Sequence, residues 1–200
     1  MSEPVEAPDE TAAIPRPDWD DAYLDRVADR LVTNYDLERD HREGGERFDL
    51  FGRLYMESQK QFLHPSVNFA NHHQQEYLYA RRTDGVSVAE IDRLVDLADD
   101  LAAKYVEADE EHYGTDFTFV LVVPEVPEDV RERVASLNER TLIKYGYHGH
   151  YEVNVAVVAP EAEEAVRSHG ADVAQAFVLW ERLPDPAPGL LKRLLGRIRG

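Results

Sequence analysis

The sequence predicts an α+β fold: a single mixed β-sheet of about five strands packed with helices, followed by a C-terminal basic amphipathic helix. Three observations predict it. Apolar residues recur at helical spacing near both 24–35 and 91–105. A Gly44-Gly45 pair separates two runs of alternating character. The runs at 117–123 and 151–158 are apolar on both faces, as central strands are when covered on two sides.

In chain order, residues 1–17 carry Pro4, Pro8, Pro15 and Pro17 among acids and alanines, a mixture unable to bury apolar area and expected to form a disordered acidic tail. An α+β domain is expected over 18–183. Asp18 is the expected N-cap of a helix near 19–34, with Leu24, Val27, Ala28, Leu31 and Tyr35 on one face. The glycine pair then predicts a hairpin, with Phe48, Leu50, Leu54 and Met56 alternating along its second strand. Gly52 is expected to mark a bulge there. Residues 63–75 are polar and broken by Pro65, which predicts a loop, and Tyr77, Leu78, Tyr79 and Ala80 a third strand.

Ser87-Val88-Ala89-Glu90 has the form of a capping box and opens a helix to about 107, its buried stripe Ile91, Leu94, Val95, Ala98, Leu101, Ala102 and Tyr105. The strand at 117–123 follows. Pro127 starts a short covering helix with Val130, Val134 and Leu137, and Pro160 starts another that Ser168-His169-Gly170 interrupts. Residues 171–180 fit a resumed helix better than an edge strand, since Val173, Phe177 and Trp180 have helical spacing. A proline-rich linker is expected at 184–188 and the amphipathic helix at 189–200.

Composition excludes several classes of function. The chain of 200 residues has 40 acidic and 22 basic side chains, a formal charge of −18, and no cysteine. Disulfides, thiolate nucleophiles and cysteine-ligated metal centres are therefore out. No apolar run reaches about 18 residues, and the acidic N-terminus lacks an apolar signal core, so a cytoplasmic location is expected. So acidic a body repels phosphate backbones, and nucleic acid is not an expected partner. Lysine occurs only at positions 60, 104, 144 and 192. A carboxylate-rich, lysine-poor surface stays hydrated where salt screens repulsion within about 3 Å, and it points to a halophilic protein.

The block Phe48-Asp49-Leu50-Phe51-Gly52-Arg53, with Lys60 and an Asn-His-x-x-x-Glu pattern at Asn71, His72 and Glu76, resembles an uncharacterised family of small bacterial and archaeal proteins, a domain of unknown function, in a halophilic archaeal-type member. The likeness spans about residues 20–180. It implies a compact fold and carries no activity, cofactor or catalytic residue.

Three constellations bear on chemistry. Asp49, Arg53, Lys60, His72 and His73 are candidates for a polar pocket, with His64 nearby. Asp49, Glu57 and Lys60 invite comparison with restriction-type nucleases, but Glu57 and Lys60 are three apart and would face opposite sides of a regular strand. His148, His150 and Glu152 alternate, which places all three on one strand face as an alternative metal set; otherwise no metal and no cofactor is expected. No nucleophile elbow, Walker loop or dinucleotide glycine motif is present.

The last twelve residues reverse the composition of the rest. On a helix Leu190, Leu191, Leu194, Leu195 and Ile198 occupy one arc of about 140°, and Lys192, Arg193, Arg197 and Arg199 the remainder. The expected binding face is therefore Leu190, Leu191, Lys192, Arg193, Leu194, Leu195, Arg197 and Ile198, directed at a membrane surface or a protein partner, with self-docking as the alternative. The expectation is a non-enzymatic interaction or peripheral membrane module, attached if at all to the inner face of the cell membrane. The competing class is a metal-dependent or small-ligand-binding enzyme using a His/Asp/Glu cluster.

Overall fold

The computed structural model describes residues 15–59, 71–106, 112–143 and 150–180, with backbone alone at 56–59, 71–74, 112 and 113. Its elements are α1 (Ala22–Leu31), β1 (Asp36–Glu43), β2 (Glu46–Gln59), β3 (Asn71–Arg82), α2 (Val88–Tyr105), β4 (His112–Val122), α3 (Glu128–Ser136), β5 (Glu139–Leu142), β6 (His150–Ala159) and β7 (Glu164–Arg167). Two 3-10 segments, Pro160–Ala162 and Asp172–Phe177, complete it.

The strands form one mixed sheet in the order β1-β2-β3-β4-β6-β5, with β7 also on β6. β1, β2 and β3 are antiparallel neighbours, whereas β3, β4 and β6 run parallel. Parallel pairing requires crossovers, and α2 and α3 supply them on one face of the sheet. There Phe48, Tyr79, Phe119, Val155 and Val157 pack against Ile91, Leu94, Leu101, Val130 and Val134. α1 and the Asp172–Phe177 helix cover the other face through Leu24, Val27, Leu31, Ala174 and Phe177, against Leu50, Leu78, Val120, Ala156 and Val158. Burying each of the larger side chains of α1 contributes about 1.5–3 kcal/mol, enough to hold a ten-residue helix that would not survive alone.

The α+β class and the mixed sheet agree with the sequence, but among the described residues the sheet already has seven strands rather than about five. β5 reads Glu-Arg-Thr-Leu and is exposed throughout, so it carries no apolar alternation to detect. Pro160 begins only one 3-10 turn: Glu163 adopts φ 53°, in the left-handed region, and turns the chain back as β7 along β6 instead of continuing a helix. Residues 172–177 are 3-10 rather than α-helical. β3 starts at Asn71, inside the expected loop, because its long antiparallel ladder with β2 overrides the polar composition of its first residues.

The caps explain other boundaries. Asp21, not Asp18, caps α1, its Oδ1 accepting from Tyr23 N at 2.8 Å and Leu24 N at 3.1 Å. Trp19 precedes the helix, lies in the core and donates from Nε1 to Asp49 O at 2.7 Å. Ser87 caps α2 as expected, accepting from Glu90 N, but the Glu90 carboxylate takes Arg81 at 2.6 Å rather than reaching back along the helix. Nor does Gly52 mark a bulge: it pairs continuously with Leu37 and Leu78. The irregular position is instead Asp40, with φ 56°.

Candidate functional site

The sheet face beneath α1 changes character along its length. The row Leu50–Ala80–Val120–Ala156 is apolar, but four residues earlier along the parallel strands the row reads Leu54–Glu76–Asp116–Glu152–Arg140. α1 and the Asp172–Phe177 helix pack over the apolar row. Between them lies an open cleft of about 600 Å³ lined by Arg30, Asn34, Tyr35, Leu54, Asp172, Val173 and Ala176, with Leu31 and Thr33.

Tyr35 is the buried aromatic wall of this cleft. The chain leaves α1 with Tyr35 N bonded to Leu31 O at 2.9 Å, and the ring then lies over Gly52, where a Cβ would stand 3.1 Å from Tyr35 Cδ1. Glycine here creates space for a ring, which is why β2 stays regular around it. Placed so, the Tyr35 hydroxyl donates to Glu76 Oε2 at 2.5 Å, and the Thr118 hydroxyl donates to Oε1 at 3.1 Å.

Glu76 is thus a half-buried carboxyl with both oxygens hydrogen-bonded. Burial raises its pKa above the ordinary value, outweighing the two hydroxyl donors that favour its anion, and the nearby charge of Asp172 raises it further. Burial also raises the pKa of Tyr35, and Glu76 and Asp116 add to the effect. A carboxyl whose pKa is raised, one hydrogen bond behind the wall of a cleft with mixed polar and apolar lining, has the environment found where proteins bind or handle small molecules.

The rim is braced. Arg30 donates from Nη1 to Val178 O at 2.8 Å, and the Tyr23 hydroxyl donates to Phe177 O at 2.5 Å, tying α1 to the end of the 3-10 helix. Arg167 donates to Asp172 Oδ1 at 2.5 Å at its start. Gly170 lies so close over Asn154 that a Cβ would fall 2.4 Å from Oδ1, which seats the segment leading into that helix.

The residues selected from the sequence fall elsewhere. Asp49 accepts from Arg82 N at 2.8 Å at the other end of β2. Arg53 lies in the Tyr77–Phe117 row on the α2 face, 3.9 Å from Asp36. His72 and His73 pair with Ser58 and Glu57 along the ladder, and only their backbone is described. Lys60, His64, His148 and the whole face from Leu190 to Ile198 lie outside the described residues. His150 and Glu152 do meet, Nε2 to Oε1 at 3.5 Å, but Arg140 is also there, 3.4 Å from Glu152 Oε1 and 3.3 Å from His150 Nδ1. Among the described residues no group of three or more His, Cys, Asp or Glu is placed to hold a metal ion.

Sequence reasoning missed Tyr35, Thr118 and Asp172, and noted Glu76 only within the family pattern. One signal was available: Glu76, Leu78 and Ala80 share a face, so Glu76 puts a carboxylate in line with core residues.

The chain belongs to the family described as a domain of unknown function (DUF8052), whose model matches residues 20–179. No curated protein and no solved structure matches it. Among the described residues no helix is long and apolar enough to cross a membrane.

Proposed function

We propose that the domain is a non-enzymatic binding module whose ligand sits in the cleft between α1 and the Asp172–Phe177 helix. One observation carries this reading: Tyr35, which lines the cleft, is bonded at 2.5 Å to a half-buried glutamate. A half-buried carboxyl with a raised pKa weakens a fold, and a bound ligand that engages it supplies a reason for its presence. Fragment screening of the full chain by amide NMR tests it. Shifts confined to residues 30–35 and 172–176 support the cleft; shifts at a different site, or none, count against it.

A second reading is favoured by the sequence of residues 189–200. With five large apolar side chains on one arc and four cations beside them, this segment would attach the module to a membrane surface or a protein partner. Flotation with anionic lipid vesicles, comparing the full chain with one ending at Asp185, tests it: binding lost on truncation supports attachment, and equal behaviour of the two removes it. The net charge of −18, with only four lysines, supports a third element of the proposal, that the protein is halophilic.

A further inference from the structure

We infer that the cleft takes a small organic cation, an ammonium head on a short apolar body; this rests on the reading of the cleft as a ligand site. The body follows from the lining, where Leu31, Leu54, Val173 and Ala176 offer an apolar surface. The head follows from the polar groups. The hydroxyl of Tyr35 donates to Glu76, so its oxygen is left as an acceptor, which favours a ligand that donates. Asp172 lines the cleft as well, and Asp116 is near enough for its charge to act on Tyr35. The two neighbouring cations are engaged, Arg30 on the carbonyl of Val178 and Arg167 on Asp172. An incoming anion meets the carboxylate of Asp172, and the one arginine of the lining, Arg30, already has its Nη1 on main-chain carbonyls. An ammonium group meets a phenol oxygen backed by a carboxyl, and the ring face of Tyr35 adds cation–π attraction.

The same arrangement couples binding to a proton. Glu76 faces the hydroxyls of Tyr35 and Thr118, its strand neighbour Asp116 and the charge of Asp172, which is paired with Arg167, while Arg30 lines the cleft beyond Tyr35. In the empty cleft burial favours its protonated form, whereas a cation beside Tyr35 favours the anion. Binding of the cation releases that proton, and affinity rises with pH until Glu76 is ionised in the free protein too.

The test uses the full chain, n-butylammonium chloride, sodium butyrate and n-butanol at matched ionic strength, with binding followed by the amide signals of residues 33–35 and 172–176. Butylammonium is expected to move these signals and butyrate to leave them unchanged. Asp172→Asn, at an exposed position paired with Arg167, and Glu76→Gln are each expected to weaken butylammonium binding about fivefold or more, with the unchanged dispersion of the remaining amide signals showing that each variant is folded. Butylammonium binding of equal strength in both variants overturns the inference. If butyrate or butanol moves the cleft signals and butylammonium does not, the cation assignment fails and the ligand cleft stands. If none of the three moves them, both fail.

Discussion

The hydroxyl of Tyr35 donates to the Glu76 carboxyl at 2.5 Å across the bare backbone of Gly52, joining the end of α1 to the third strand. Removing the donor leaves one oxygen of a half-buried carboxyl without this partner. Tyr35→Phe is expected to destabilise the domain by about 1–3 kcal/mol, measured by urea unfolding at neutral pH.

Glu76 imposes a pH dependence of definite sign. Its pKa is raised in the folded protein above the ordinary 4.5, so the folded state holds this proton more tightly than the unfolded chain. The associated stability is fully present below pH 4.5 and is lost as pH rises through the folded-state value. Glu76→Gln keeps the shape and cannot ionise. The stability of the wild type relative to this variant is therefore expected to fall with increasing pH above 4.5, as read from paired thermal melts. A constant difference contradicts the assignment.

Gly52→Ala tests the space that admits the Tyr35 ring. The new Cβ would lie 3.1 Å from Tyr35 Cδ1 and 3.3 Å from Leu37 Cδ2, so the ring must move. Overpacking of this kind costs about 1–3 kcal/mol. Gly85→Ala is the control, with nothing within 4 Å of the added atom, and it is expected to be close to neutral.

Acid acts in the opposite sense on Asp25. Its pKa is lowered to about 2 by the Arg16 guanidinium, whose Nη1 donates at 2.7 Å, and by Trp19 N. This contribution is present above the ordinary 3.8 and disappears as pH falls towards 2. Because the pair is partly solvated, Asp25→Asn is expected to cost about 0.5–1 kcal/mol at pH 7 and nothing near pH 2, in urea titrations at the two pH values.

Salt provides a test of the charge. With 18 more negative than positive side chains, repulsion outweighs the exposed pairs that salt also weakens. The melting temperature is expected to rise by about 5 °C or more between 0.1 and 2 M KCl. A fall would mean that the ion pairs dominate and would remove the halophilic reading.

Much of the fold was legible because periodicity reports burial. The stripe from Ile91 to Ala102 and the apolar runs within β4 and β6 named α2 and two central strands, and Ser87 marked its helix start to the residue. What escaped was structure without an apolar pattern: β5, exposed along its length, and β7, created by a left-handed turn at Glu163. The candidate site escaped for a different reason. Tyr35 comes from the connection between α1 and β1, and Glu76, Thr118 and Asp172 from three separate elements; the register of β2, β3 and β4 together with the closeness of Tyr35 to Gly52 brings the first three together. Linear spacing drew attention to histidines instead, and His150 and Glu152 are partnered by Arg140.

The most direct measurement is a carbon-13 NMR titration of the Glu76 carboxyl, with and without butylammonium chloride. The account predicts a midpoint above 4.5 for the free protein that moves down when the cation is present. A midpoint at or below the ordinary value, unmoved by the cation, contradicts it.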